Sequence, residues 1–216
     1  MVKGNRDRGF PTGGGSVTKR HLKELRFGCV VADPPWQTNA GRTIGNYEIA
    51  KDGQQLFGVR DHKARPLPYP AMTIAEIMAL RPPVADQAHL YLWTINKWLR
   101  EAFDVMEAWG FNYSATLVWA KNPIGGGLGG CYGLATEFYL FGRRGTRMDE
   151  GRVGRNWWNW RRTYDERGKP RHSAKPTEFF EMVEGISPGP RLEMFARAPR
   201  EGWSVWGNEV KSDVRI

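Results

Sequence analysis

Four consecutive residues, Asp33-Pro34-Pro35-Trp36, directly follow the apolar run FGCVVA at 27–32 and combine residue types suited to chemistry on an amine. Asp33 and Pro34 each precede a proline, which presses both toward extended backbone, and neither proline carries an N–H. What is left is a rigid cluster of acceptors: the Asp33 carboxylate and the carbonyls beside it. Such a cluster suits a group with two N–H bonds, for example the exocyclic 6-amino group of adenine. That nitrogen is a poor nucleophile because its lone pair is delocalised into the ring. Hydrogen bonds from its two hydrogens to Asp33 and to the Pro34 carbonyl would hold it nearer tetrahedral geometry and concentrate the lone pair. Trp36 adds an aromatic face for a stacked base. Taken alone, the four residues fit equally well a Pro-Pro turn with a buried tryptophan.

A second constellation lies at 142–172, where Arg143, Arg144, Arg147, Arg152, Arg155, Arg161 and Arg162 surround Trp157, Trp158, Trp160 and Tyr164. Arginines neutralise phosphates and aromatic rings stack on bases, so the mixture suits a clamp on a strand whose adenine must be unstacked. The alternative is that NWWNW is a hydrophobic plug beneath a basic surface. Gly125, Gly127 and Gly130 match the dinucleotide pattern GxGxxG, but the run that follows, CYGLATEFYLFG, has the pattern of a strand and not of a helix. The context that gives the pattern meaning is therefore missing, and the glycines read as a loop at a strand end.

These groups need elements to position them. FGCVVA reads as a buried strand that ends at Asp33, which puts the acceptor cluster at the carboxyl edge of a sheet, where α/β proteins bind ligands. Residues 37–70 are polar, without a period, and read as a long functional loop. Thr73 and Glu76 form a capping box ahead of a helix through Ile74, Ile77, Met78 and Leu80. A strand at AHLYLWTI precedes a helix begun by Asn96, with Trp98, Ala102, Phe103, Met106 and Trp109 on one face and Gly110 as its stop. FNYSATLVWA and LATEFYLF read as strands; Pro176 opens a helix through Phe179, Phe180, Met182, Val183 and Ile186, ended by SPGP; RLEMFAR and GWSVW close the chain as strands. Alternating strands and helices predict an α/β layered fold with a largely parallel sheet.

The 216 residues suit one domain with a sizeable core, and 40% hydrophobic with 25% charged residues excludes wholesale disorder and fibrous repeats. No apolar run approaches the roughly 18 residues of a membrane span, and MVKGNRDRGF lacks the apolar stretch of a secretory signal, so a soluble cytoplasmic protein is expected. Cys29 and Cys131 sit in no metal-ligand spacing and read as two thiols in a reducing compartment. The net charge of +9 is concentrated: residues 1–26 carry seven Lys/Arg against two acids, and residues 142–172 carry ten against four. Two basic segments on a near-neutral body point to a polyanionic partner, most often nucleic acid. Residues 1–26, with Gly13-Gly14-Gly15, read as a flexible basic arm ahead of a single domain at 27–216 whose substrate loops lie at about 37–70 and 142–172.

The motif resembles that of the adenine-N6 methyltransferases typified by the catalytic subunit of the eukaryotic messenger-RNA methyltransferase, and the bacterial and phage members of that family most of all. LPYPAMT at 67–73, LYLWT at 90–94, LVWAKN at 117–122, HSAKP at 172–176, LEMFAR at 192–197 and WGNE at 206–209 resemble further family segments in the same order. The resemblance implies a Rossmann-like S-adenosylmethionine-dependent methyltransferase fold in permuted order, with the catalytic half before the cofactor half. It implies that Asp33, Pro34, Pro35 and Trp36 are catalytic. Asp33, Lys175, Phe195, Arg197, Asn208 and Glu209 would hold S-adenosylmethionine, and Lys175 would grip its carboxylate without any metal. Tyr69, Trp93, Trp119 and Lys121 would stand at the mouth of the site; Arg155, Trp157, Trp158, Arg161 and Arg162 would meet the substrate. Thr136 stands where relatives often have histidine before the residue matching Glu137, and Ala174 and Pro199 replace polar residues. The expected partner is nucleic acid, with DNA favoured by the bacterial-like motifs and RNA as the alternative. A nucleic-acid-binding module without activity is the reading from a different class.

Overall fold

The computed structural model describes residues 25–37, 46–49, 55–58, 70–121, 128–129, 132–146, 151–168 and 174–216. Tyr69, most of the arm at 1–26, the glycines of the GxGxxG pattern and part of each expected substrate loop lie outside the described residues. Among the described residues eleven strands are present: β1 (Phe27–Ala32), β2 (Asn46–Ile49), β3 (Gln55–Gly58), β4 (Val84–Thr94), β5 (Asn112–Ala120), β6 (Leu128–Gly129), β7 (Tyr132–Gly133), β8 (Thr136–Arg144), β9 (Trp157–Trp158), β10 (Arg191–Met194) and β11 (Trp203–Trp206). The helices are α1 (Ile74–Ala79), α2 (Leu99–Ala108) and α3 (Thr177–Ile186), with one 3-10 turn at Asn96–Trp98.

Seven strands form one sheet in the order β11-β10-β1-β4-β8-β5-β9. All run parallel to β1 except β8, which is antiparallel to β4 on one side and β5 on the other. From its carboxyl end β1 leads toward β4, while its neighbour β10 leads the opposite way to β11. The crevice where adjacent strands part company is where open α/β sheets bind ligands. Asp33 stands there at the end of β1.

Period-two alternation assigns each strand residue to one of two cores. Val30 and Ala32 of β1, Leu90 and Leu92 of β4, Leu140 of β8 and Leu192 and Met194 of β10 belong to an aliphatic layer with Ile77, Ala102 and Met106. Their neighbours Cys29, Val31, Tyr91, Trp93 and Tyr139 belong to an aromatic layer under Phe179, Phe180 and Val183 of α3. The rings meet edge to face: Trp93 and Phe179 lie 4.8 Å apart at 67°, Tyr139 and Phe179 5.1 Å apart at 80°. That arrangement suits the ring quadrupoles better than a flat sandwich.

The capping box at Thr73 and Glu76 is present, and Gly110 takes φ +79° after α2. Three expectations need correction. Residues 37–70 are not structureless throughout, because β2 and β3 pair there as an antiparallel ribbon. On α2 the inner face is Ala102, Val105 and Met106, while Phe103 is exposed against Tyr113. The segment at 142–172 is not one loop: Gly142 to Arg144 complete β8 and Trp157–Trp158 form an edge strand. Because β8 is antiparallel, Arg143 and Arg144 sit at the end of the sheet away from Asp33.

His89 of β4 is fully buried, with Nδ1 2.8 Å from Ser187 Oγ, which also bonds the Tyr91 hydroxyl at 2.9 Å. Burial first, then the nearby Arg143 charge, lowers its pKa from 6.5 to about 4. Above pH 6.5 the ring is neutral folded and unfolded, so nothing is lost. Between 6.5 and 4 the unfolded chain takes a proton that the folded chain refuses, which removes about 3 kcal/mol of stability over the window. Denaturant unfolding at stepped pH is expected to show this fall, and His89→Gln is expected to flatten it.

Candidate active site

Six strands deliver side chains to one edge. The carboxyl ends of β1, β4, β5, β10 and β11 meet there, and so does the amino end of the antiparallel β8. Between β1, β10 and the start of α3 lies a cleft of about 440 Å³, within the range of small-ligand sites. Asp33, Lys175, Glu193, Phe195, Arg197 and Glu209 are among its lining residues.

The Asp-Pro-Pro-Trp segment is fixed from several sides. The Trp36 N–H donates to the Pro34 carbonyl at 2.8 Å and the Met72 N–H to the Pro35 carbonyl at 2.9 Å. The Trp36 indole donates to the Trp93 carbonyl at 3.0 Å. Gln37, the next residue, accepts from the Trp98 indole at 2.9 Å and the Lys97 ammonium at 3.4 Å. The Trp36 ring is only 5% exposed and belongs to the aliphatic core. It anchors the motif and presents no face for stacking, contrary to the expectation. Pro34 keeps one carbonyl lone pair after serving Trp36, since a carbonyl accepts two hydrogen bonds.

A chain of four charges runs across the site. Lys175 Nζ lies 2.8 Å from Asp33 Oδ2 and 3.1 Å from Glu137 Oε2, and Lys121 pairs with the other oxygen of Glu137. The Lys175 ammonium also sits 4.7 Å above the Trp93 ring. Burial pushes the Asp33 carboxyl above the usual range; Lys175 opposes the shift and the Glu137 charge adds to it. For Glu137 burial also pushes upward, but two lysines outweigh it and draw the pKa down to about 2. Lys175 is pressed downward by burial, yet two carboxylates hold it above the ordinary lysine value.

The second half of the cleft is built by β10 and β11. Phe195 follows β10 in the left-handed region at φ 61°, an unusual place for a bulky residue, and its ring meets Trp206 at 5.3 Å. Gly207 is required beside it: a Cβ there would collide with the Ala196 carbonyl and come within 2.8 Å of its nitrogen. Arg197 pairs with Glu209 at 3.0 Å. Arg200 lies 3.5 Å from Glu193 and 3.4 Å above the Phe180 ring. Burial, opposed by Arg200, pushes the Glu193 carboxyl upward.

The other expected residues divide. Trp93 and Trp119 are buried, so they underlie the site and do not stand at its mouth. Trp158 is likewise buried, whereas Trp157 is 55% exposed and Arg155 and Arg161 are exposed. Arg162 is half-buried, with an Nε that has no hydrogen-bond partner. Asn208 is exposed at the rim. Glu137 was not expected among the site residues. Its signal is parity: 137 shares its face with the aromatic Tyr139, as Asp33 does with Val31 and Lys121 with Trp119.

The sheet order with one antiparallel strand, the cleft at the switch point and the acid at the end of β1 define a Rossmann-like methyltransferase. The chain belongs to the MT-A70 family, whose model matches residues 27–209. It is 27% identical over 197 residues to the Type II methyltransferase M.MunI of Mycoplasma sp, covering 88% of this chain and 80% of that protein. It is 28% identical over 202 residues to a putative N(6)-adenosine-methyltransferase MT-A70-like protein of Medicago truncatula, and 23% identical over 210 residues to the human N(6)-adenosine-methyltransferase catalytic subunit METTL3. The chain spans only 27% and 28% of the length of these last two.

Removing Lys175 strands two partly buried carboxylates, and breaking a fully buried pair typically costs about 3–5 kcal/mol, an upper bound for this site. Lys175→Met is therefore expected to destabilise strongly, and Lys175→Met with Glu137→Gln to cost less than the sum of the single changes. Denaturant unfolding of the four proteins in the cycle measures the coupling.

Proposed function

We propose that this protein transfers a methyl group from S-adenosylmethionine to the 6-amino group of adenine in nucleic acid, with DNA as the substrate. The observation that carries the reading is the Asp33 carboxylate at the end of β1: it lines the cleft and has one oxygen held by Lys175. DNA is preferred because a relative 80% of whose length this chain covers is named a type II methyltransferase. RNA is the competing substrate, since other relatives are named N(6)-adenosine-methyltransferases.

The residues present suit the cofactor. An ammonium has three donors; Asp33 and Glu137 engage two of those of Lys175, which leaves one for the cofactor's carboxylate. Phe195 supplies an apolar wall, Glu209 an acceptor for ribose hydroxyls, and Arg197 and Asn208 further polar contacts at the rim. When bound, S-adenosylmethionine supplies an electrophilic methyl group on a sulfonium sulfur.

The chain's own groups then act on the amine. With Oδ2 committed to Lys175, Asp33 Oδ1 accepts one amine N–H and the remaining Pro34 lone pair accepts the other. Their fixed positions hold the nitrogen toward tetrahedral geometry. The Asp33 charge favours the positive charge that develops as the N–C bond forms and the S–C bond breaks. The nitrogen then sheds one proton, for which Asp33 is the adjacent acceptor, its basicity raised by burial.

The test is methyl transfer from labelled S-adenosylmethionine to duplex DNA, single-stranded DNA and RNA, with nucleoside mass analysis of the product. N6-methyladenine is expected, and Asp33→Ala is expected to cost about 100-fold or more in rate. Because the working form of Asp33 is ionised and its pKa is raised, activity is expected to fail on the acid side at a pH above 3.8. A fully active Asp33→Ala variant would overturn the reading, as would absence of cofactor binding.

A further inference from the structure

The basic, aromatic segment is not a loose clamp. Asn156 donates its side-chain N–H to the Thr116 carbonyl at 3.2 Å, and the Val118 N–H donates to the Asn156 carbonyl at 2.9 Å. Trp157 and Trp158 pair with Val118 and Trp119, and the Trp119 indole donates to the Trp160 carbonyl at 2.9 Å. Residues 156–160 are thus stapled along β5, at the outer edge of the sheet.

Exposure alternates along this segment. Trp158, Trp160 and Arg162 turn inward; Trp158 stacks on Trp160 at 4.9 Å and 19° and faces Tyr139 at 6.0 Å. Trp157, Asn159 and Arg161 turn outward, and Arg155 is exposed ahead of them. A hydrophobic plug and an exposed basic, aromatic surface are therefore both present, one on each side of the same segment. The outward residues make a stripe of cation, ring, amide and cation. Because β9 is parallel to β5, which ends at Ala120 one residue before Lys121 of the charge chain, the stripe climbs toward the site with Arg161 at its upper end.

We propose that this stripe is a track for an unstacked single strand of the substrate, on one side of the target adenine; the inference rests on the nucleic-acid reading above. Alternate residues of an extended segment are about 6.6 Å apart. That is about twice the 3.4 Å per nucleotide of a stacked strand, so the stripe matches a strand whose bases are separated and misfits a stacked one. Arg155 and Arg161 neutralise phosphates, Trp157 offers a free ring face to one base, and Asn159 supplies both a donor and an acceptor. From Trp157 to Arg161 the stripe spans about 13 Å, the length of about two separated nucleotides, and Arg155 stands ahead of the bend at Asn156. Mounted on the sheet, it is already ordered before the strand arrives, which spares the entropy of arranging a loop.

The experiment is fluorescence anisotropy of labelled 12-nucleotide single strands, DNA and RNA in parallel, across a salt series, with S-adenosylmethionine affinity measured on the same proteins. Trp157→Ala is expected to weaken single-strand binding about 10-fold, and Trp157→Phe to restore most of it. Arg155→Gln with Arg161→Gln is expected to lower the salt slope by about 1.4, from about 0.7 per phosphate contact on a single strand. Cofactor affinity is expected to hold in every variant. Unchanged affinity and slope would overturn the track, as would a parent protein that binds a duplex more tightly than either strand. Loss of cofactor affinity in step with strand affinity would also overturn it. Failure of the track with methyl transfer intact leaves the adenine-methylating reading standing, whereas a parent that binds no cofactor ends both.

Discussion

An ammonium group taken out of water is unfavourable by several kcal/mol unless its partners are close and well aimed. Lys175 meets that condition only because three separate parts of the chain converge on it: Asp33 at the end of β1, Glu137 at the start of β8 and the Trp93 ring from β4. The lysine itself stands two residues ahead of α3. Its contacts therefore tie the one helix covering the aromatic face to the middle of the sheet. They also fix which Asp33 oxygen is committed and which is open, so the orientation of the acceptor cluster is an electrostatic result as much as a backbone one.

Much of this was legible in the sequence, and the gaps have physical causes. The rigid motif at 33–36, the capping box at Thr73 and the apolar strand runs are signals carried by neighbouring residues. Glu137 was not legible as a site residue. One acid near the start of an apolar strand fits a solvated strand end, and only the antiparallel insertion of β8 brings it beside Asp33. Whether Trp36 and Trp93 are buried or face a ligand stayed open for a similar reason: strands covered on both faces are apolar throughout, so composition does not say which ring faces a ligand. Gly207 looks like an ordinary turn glycine until the Ala196 backbone is found against it.

Two of the departures from the family pattern fall in one region: Ala174 and Pro199 both line the cleft. Beside them this chain has Arg200, spread over Phe180 and paired with Glu193. This wall of the cleft is thus made from a stacked guanidinium and a half-buried acid. A wall of that kind recognises by shape and by fixed charge, in contrast to the adjustable donors and acceptors of an amide or imidazole.

The sheet has an outer edge at β9, and an uncovered edge is a template for pairing with another chain. Here the regular strand is two residues long, a bulky ring projects from it, and Arg155 and Arg161 flank it. A second sheet approaching that edge would meet like charges and too few paired backbone groups to gain from docking. The arginines thus guard this edge against edge-to-edge pairing whether or not nucleic acid is present, and replacing them would trade a charged edge for a more adhesive one.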